Sequence, residues 1–240
     1  MVQLTGRDAA VLEWLSVVRL ADMDAMRFAL AGLGTNEHPV DPITLRKAQR
    51  WVSRMIEVGM VARARPTFQT SSIVWATHQA IGRIAPNLYR QTTRHEVAVA
   101  TVAARYLAQG YDWSRDRKPH SMSEHMADGV AIKGAHRELV EVELTPKTLG
   151  RYKLIHNSHA DRLSGDGFSR VVYACTPEAA RVVSREADQY LFRDLRPRLI
   201  TGAVFDVRGT WTGHQDALWT GVPEPEPVMM QAPLFERGLQ

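Results

Sequence analysis

Three carboxylates and a lysine gather in one short stretch of the chain. Asp128 precedes Gly129 in "MADGVAIKG"; thirteen residues later Glu141 and Glu143 end the β-branched run "LVEVEL", and Lys147 follows four residues on. In an extended strand, residues i and i+2 share a face. Leu139, Glu141 and Glu143 therefore project one way, and Val140, Val142 and Leu144 the other, into a core. The tight turn "KGAH" folds the preceding strand back, so Asp128 is expected beside Glu141. Carboxylates held together repel one another unless a cation joins them. Mg²⁺ suits one or two carboxylates completed by water and phosphate oxygen. Such an ion activates water and offsets charge on a phosphodiester. Asp128 and Glu141 are thus the candidate metal ligands and Mg²⁺ the candidate cofactor. Glu143 stands next to them, and Lys147, at the start of the next helix, would stabilise developing charge. The alternative is an ordinary wet sheet face. Glu96 adds to the first reading: helical spacing puts it on the stripe Glu96, Val99, Ala100, Ala103, Leu107, where an unpaired carboxylate is costly unless it reaches the same site.

The elements that must position these groups can be read from periodicity. Two short helices span 5–33, with Thr5 as N-cap of the first. A third helix, "PITLRKAQRWVSRMIEV", has Pro42 in its first turn and Gly59 as its stop. The runs "MVARAR" and "SSIVWAT" form a hairpin, and "HQAIGRI" is a short helix. A long helix is expected over 87–110, strands near 111–117, 126–133, 137–145, 169–175 and 199–207, and helices near 147–163 and 177–193, the latter opened by Thr176-Pro177. The chain therefore divides into 1–84, with the layout of a winged helix-turn-helix, and 87–207, an α/β unit with a mixed sheet. The segment 208–240 is rich in Pro and Glu and reads as a flexible tail. The fold class expected is α+β with an α/β second half.

The third helix has the chemistry of a DNA reader. At about 100° per residue, Leu45, Ala48, Val52, Met55 and Ile56 share one face and Arg46, Lys47, Arg50 and Arg54 the opposite one. Arg63 and Arg65 alternate along the first wing strand and share a face. Arginines contact phosphates or read guanine edges bidentately, so double-stranded DNA is the expected partner. A solvated cationic face without a partner is the alternative.

The residues in this order resemble the PD-(D/E)XK nuclease fold. Its position after a winged helix is similar to the replication-relaxation family of actinobacterial plasmids, phages and integrative elements, over roughly residues 4–207. The family pattern of a His-Glu helix, an Asp-Gly strand and a Glu-x-Glu-Leu-(Ser/Thr)-x-Lys turn is matched by His95-Glu96, Asp128-Gly129 and Glu141 through Lys147. In the superfamily the lysine usually stands two residues after the Glu on the same strand; here Glu143 holds that place and Lys147 would substitute from the helix. The resemblance implies an N-terminal winged helix-turn-helix plus a C-terminal PD-(D/E)XK-like mixed sheet flanked by helices, acting in DNA replication or transfer of a mobile element. Glu96, Asp128, Glu141, Glu143 and Lys147 would be the catalytic set of a Mg²⁺-dependent endonuclease or nickase. The alternative is a non-catalytic, homodimeric regulator or replication accessory factor that keeps the fold without the chemistry.

The remaining signals are weaker. The chain has 240 residues, 45% hydrophobic, with a net charge of +4, which permits a nucleic-acid partner without requiring one. Its one cysteine, Cys175 in "SRVVYAC", reads as a buried strand residue. One cysteine, no apolar signal core and no long apolar run fit a cytoplasmic protein with no membrane partner. His120, His125, His156 and His159 read as solvated, because zinc sites usually need four ligands and draw on cysteine; His156 alone is placed near the acidic groove. In the tail, Gln231, Leu234 and Phe235 of "QAPLF" are similar to the pentapeptide by which bacterial replication proteins dock on the DNA sliding clamp, an extended-peptide mode of recognition.

Overall fold

The computed structural model describes residues 3–67, 71–121, 124–213 and 218. The clamp-like residues Gln231, Leu234 and Phe235 and nearly all of the tail lie outside the described residues.

Helix α1, Gly6–Val18, opens with a reciprocal capping box between Thr5 and Asp8. A two-residue strand β1, Ala21–Asp22, leads into α2, Met23–Gly32, capped by Asp22. Helix α3, Leu45–Glu57, begins three residues after Pro42 because Thr44 takes the cap by accepting from the Lys47 amide. It stops where Gly59 adopts a left-handed φ of 74°. Its buried face carries Ala48, Trp51, Val52 and Met55, while Leu45 and Ile56, expected inside, are largely exposed. Strands β2, Val61–Ala64, and β3, Ile73–Ala76, form an antiparallel hairpin, and β1 joins on the far side of β3 to give the order β1-β3-β2. Helix α4 is only His78–Ile81, ended by the left-handed Gly82.

The expected long helix over 87–110 is shorter: α5 covers Thr93–Ala108. A five-stranded mixed sheet follows in the order β4-β5-β6-β7-β8: β4 Asp112–Ser114, β5 Gly129–Lys133, β6 His136–Glu143, β7 Arg170–Cys175 and β8 Leu199–Ala203. The first three strands are antiparallel; β7 pairs parallel to β6, and β8 parallel to β7. The crossovers are helices α6, Leu149–Gly165, and α7, Pro177–Tyr190, the latter capped by Thr176 as its Thr-Pro start predicts. The protein is thus mixed α+β with two sheets.

Strand β6 is buried on both sides. Val140 and Val142 pack with the α5 side of the core, and Leu139 packs with the core that includes Tyr152 of α6 and Val183 of α7. The alternative of a wet sheet face at Glu141 and Glu143 does not hold; both are buried, because α6 and α7 cover it. The core on the α5 side runs without a break from α1, α2 and α3 through α5 into β6 and β7. Among the described residues, no helix is long and apolar enough to cross a membrane.

Candidate functional site at the end of the mixed sheet

The register places Gly129 opposite Val140, which brings Asp128 to the level of Glu141 as the hairpin predicts. Their side chains then part. The Asp128 carboxylate accepts from the Val142 amide at 2.8 Å, taking over from the backbone where β5 stops. Its other oxygen lies 2.9 Å from His95 Nε2, which reaches down from the first turn of α5. Gly129 is required beside it, since a Cβ there would lie 2.1 Å from the Trp113 ring. Burial works against charge on His95, but the hydrogen bond and charge of Asp128 outweigh it and raise the imidazole above its ordinary range.

Glu143, at the end of β6, pairs with Lys147 Nζ. Lys147 is fixed by its own amide, which donates to the Tyr152 hydroxyl of α6 at 3.0 Å. Burial raises the Glu143 carboxyl, with Lys147 pulling the other way. His95 borders two grooves. One, of about 420 Å³, also takes in Arg90, Arg94, Glu143 and Thr145; the other, of about 100 Å³, holds Glu96, Arg115, Met126 and Asp128. His95, Asp128, Glu143 and Lys147 thus form one neighbourhood. Glu96 lies at its edge, half-buried, accepting from the Thr92 hydroxyl at 3.0 Å. It is not on the buried stripe; that stripe carries Val97, Ala100, Thr101 and Ala104.

Glu141 is committed elsewhere. It is 4% exposed and accepts from His159 Nε2 at 3.0 Å. His125 Nε2 stands 2.8 Å from the same oxygen without hydrogen-bond alignment. Burial disfavours the carboxylate, yet the two imidazoles outweigh it and hold Glu141 well below the usual range. Burial lowers His159 against the opposing pull of Glu141; burial takes His156 down to about 3. The expectation of solvated histidines therefore fails for His125, His156 and His159, because α6 turns this face inward. His120 is exposed. Nothing in the sequence marks His125 and His159 as partners of Glu141 except the His156–His159 spacing of one helical turn.

The two carboxylates expected to share an ion, Asp128 and Glu141, and their neighbour Glu143 each hold a different base. Among the described residues, the set bringing three metal-capable donors within 4.8 Å is His125, Glu141 and His159. As arranged, Asp128 and Glu141 are not a ready pair of Mg²⁺ ligands.

On the first sheet's side, Arg46, Lys47 and Arg50 project from α3 into solvent, and Arg63 and Arg65 are exposed on and just beyond β2. Arg54 is drawn away: it bonds the buried Asp8 at 2.6 Å, which also accepts from the Trp51 indole at 2.7 Å.

Compared with protein-family models, characterised proteins and solved structures, the chain matches none.

Proposed function

We propose that this is a DNA-binding protein in which residues 1–84 form a winged helix and the mixed sheet a PD-(D/E)XK-like unit, serving replication or transfer of a plasmid or phage. The observation that carries this reading is the cationic surface of α3 and β2. Arg46, Lys47 and Arg50 leave a helix whose other face is packed, and Arg63 and Arg65 are exposed on the hairpin that follows it. The element order α1-β1-α2-α3-β2-β3 and the β1-β3-β2 sheet support it. A helix about 10–12 Å across with one packed face suits a major groove of about 12 Å. Arg54 acts in this reading through Asp8, orienting α3 against α1, rather than on the DNA.

The test is a gel shift on duplex DNA at several salt concentrations. Replacing Arg46, Lys47 and Arg50 with Ala should weaken binding and flatten the slope of log affinity on log salt by about one per lost phosphate contact. Unchanged affinity in the triple variant would remove the reading.

A second reading, metal-dependent nicking, is favoured by His95, Asp128, Glu143 and Lys147 sharing one neighbourhood. Asp128 and Glu143 would hold Mg²⁺ if His95 and Lys147 released them. The ion supplies Lewis-acid charge at a phosphodiester when bound, and Lys147, freed from Glu143, would meet the phosphate. Supercoiled plasmid incubated with Mg²⁺ or Mn²⁺ decides it. Nicking lost in Asp128→Ala and Glu143→Ala with DNA shifts retained supports catalysis; shifts without nicking leave a DNA-binding protein with a nuclease-like scaffold.

A further inference from the structure

We propose that His125, Glu141 and His159 form a binding site for a divalent transition-metal ion, Zn²⁺ by its chemistry, buried between β6 and α6 and separate from the DNA-facing groups. The two imidazole Nε2 atoms converge on one carboxylate oxygen at 2.8 and 3.0 Å, and all three donors lie within 4.8 Å of one another. Around a tetrahedral Zn²⁺ with bonds of about 2.0–2.1 Å, donor atoms stand about 3.3 Å apart, within a few tenths of an ångström of the two histidine–carboxylate distances. Two imidazoles and one carboxylate select zinc or a related transition ion; Mg²⁺ prefers oxygen alone.

A second observation points the same way. His156, one turn before His159 on α6 and wholly buried, hydrogen-bonds to none of the described residues through either ring nitrogen. Its ring centroid is 6.2 Å from that of His159, and the Tyr173 ring, whose buried hydroxyl likewise bonds to none of the described residues, stands 6.1 Å from His156 and 5.8 Å from His159. Buried polar groups are ordinarily satisfied. His156 is thus an unsatisfied buried imidazole beside the site, outside the set of three donors that lie within 4.8 Å of one another.

The site would have a positional consequence. His125 lies three residues before Asp128, and its amide already donates to the Ser158 hydroxyl of α6 at 3.0 Å. An ion held here locks the loop leading to Asp128 onto α6 and so fixes the carboxylate that meets His95.

The experiment uses the full chain, stripped with chelator and titrated with Zn²⁺ and with Co²⁺, whose visible spectrum reports tetrahedral coordination. Wild type should take up one equivalent, show the tetrahedral Co²⁺ spectrum and gain melting temperature with Zn²⁺ but not with Mg²⁺. His125→Asn, on a partly exposed loop, and His159→Gln should each weaken uptake by more than about a hundredfold, beyond the usual effect of an outer-shell partner. Asp128→Asn should leave uptake unchanged. The proposal is overturned if wild type takes up no stoichiometric ion, or if both histidine variants bind as it does. It is overturned equally if Asp128→Asn abolishes binding while His125→Asn does not, which would put the ion at the sheet-end groove instead.

Discussion

A single proton on His95 links the helix α5 to the acidic sheet end. Because Asp128 raises its folded-state affinity for that proton, the pair contributes stability that is complete below about pH 6.5 and lost as pH rises through the folded value. We predict that NMR titration of His95 gives a midpoint above the ordinary histidine value and that Asp128→Asn brings it down, since the partner that outweighs burial is then gone. A midpoint indifferent to Asp128→Asn would break the assignment. Asp8 has the opposite sign. Burial raises it, but Arg54, Trp51 and the Thr5 amide together hold its carboxyl well below the ordinary value. Its stabilisation is present above about pH 4 and fades as pH falls. Asp8→Asn should therefore lower the melting temperature at pH 7, and the gap to wild type should begin to narrow as pH falls below about 4 and go on narrowing toward the lower folded-state value. A gap constant with pH would mean that Asp8 acts through shape rather than charge.

Between elements, the closest approach is α2 against α5. A Cβ on Gly32 would sit 2.6 Å from the Leu107 carbonyl carbon and 2.8 Å from the Ala108 nitrogen. These are backbone atoms of a helix and cannot move alone. Gly32→Ala should destabilise the protein by about 1–3 kcal/mol through overpacking, although alanine normally favours a helix over glycine. Denaturant melts check this; a stabilised variant would show that the helices have room. The packing also explains a buried charge on β6. Glu138 is fully buried, yet it accepts from the Tyr106 hydroxyl at 2.6 Å and meets His136 Nε2 at 2.8 Å and Arg170 Nε at 2.9 Å. Arg170 in turn donates to the Leu218 carbonyl at 3.1 Å, tying the sheet to a residue beyond β8.

For the molecule as a whole, the continuous core from α1 to β7 is decisive. Ala29 and Leu30 of α2, Trp51 of α3, Ala104 of α5 and Val140 of β6 belong to one apolar cluster. Neither half closes its own interior on that side. Thermal unfolding should accordingly be a single cooperative transition by both tryptophan fluorescence and far-UV circular dichroism. Two resolved transitions would show that the units fold independently. This also bears on how DNA contacts at α3 would be felt at the sheet end, since α2 and α5 are pressed together between them.

Much of this was legible in the sequence. Apolar spacing and caps located the helices and strands, with Thr5 and Thr176 at their starts and Gly59 past a helix end, because capping and left-handed φ are local chemistry. The turn "KGAH" was enough to set β5 against β6 and bring Asp128 level with Glu141. Partnership was not legible. Strand alternation says which side Glu141 faces but not what covers that side. Only the packing of α6 showed it to be buried against His125 and His159 rather than open to solvent. In the same way, helical spacing put Arg54 with the cationic face, and only the docking of α3 on α1 gave it to Asp8. Local sequence determines conformation through short-range sterics and hydrogen bonds. Which charges meet is decided by contacts 18 residues apart for Glu141 and His159 and 46 apart for Arg54 and Asp8, and those exist only once the core has closed.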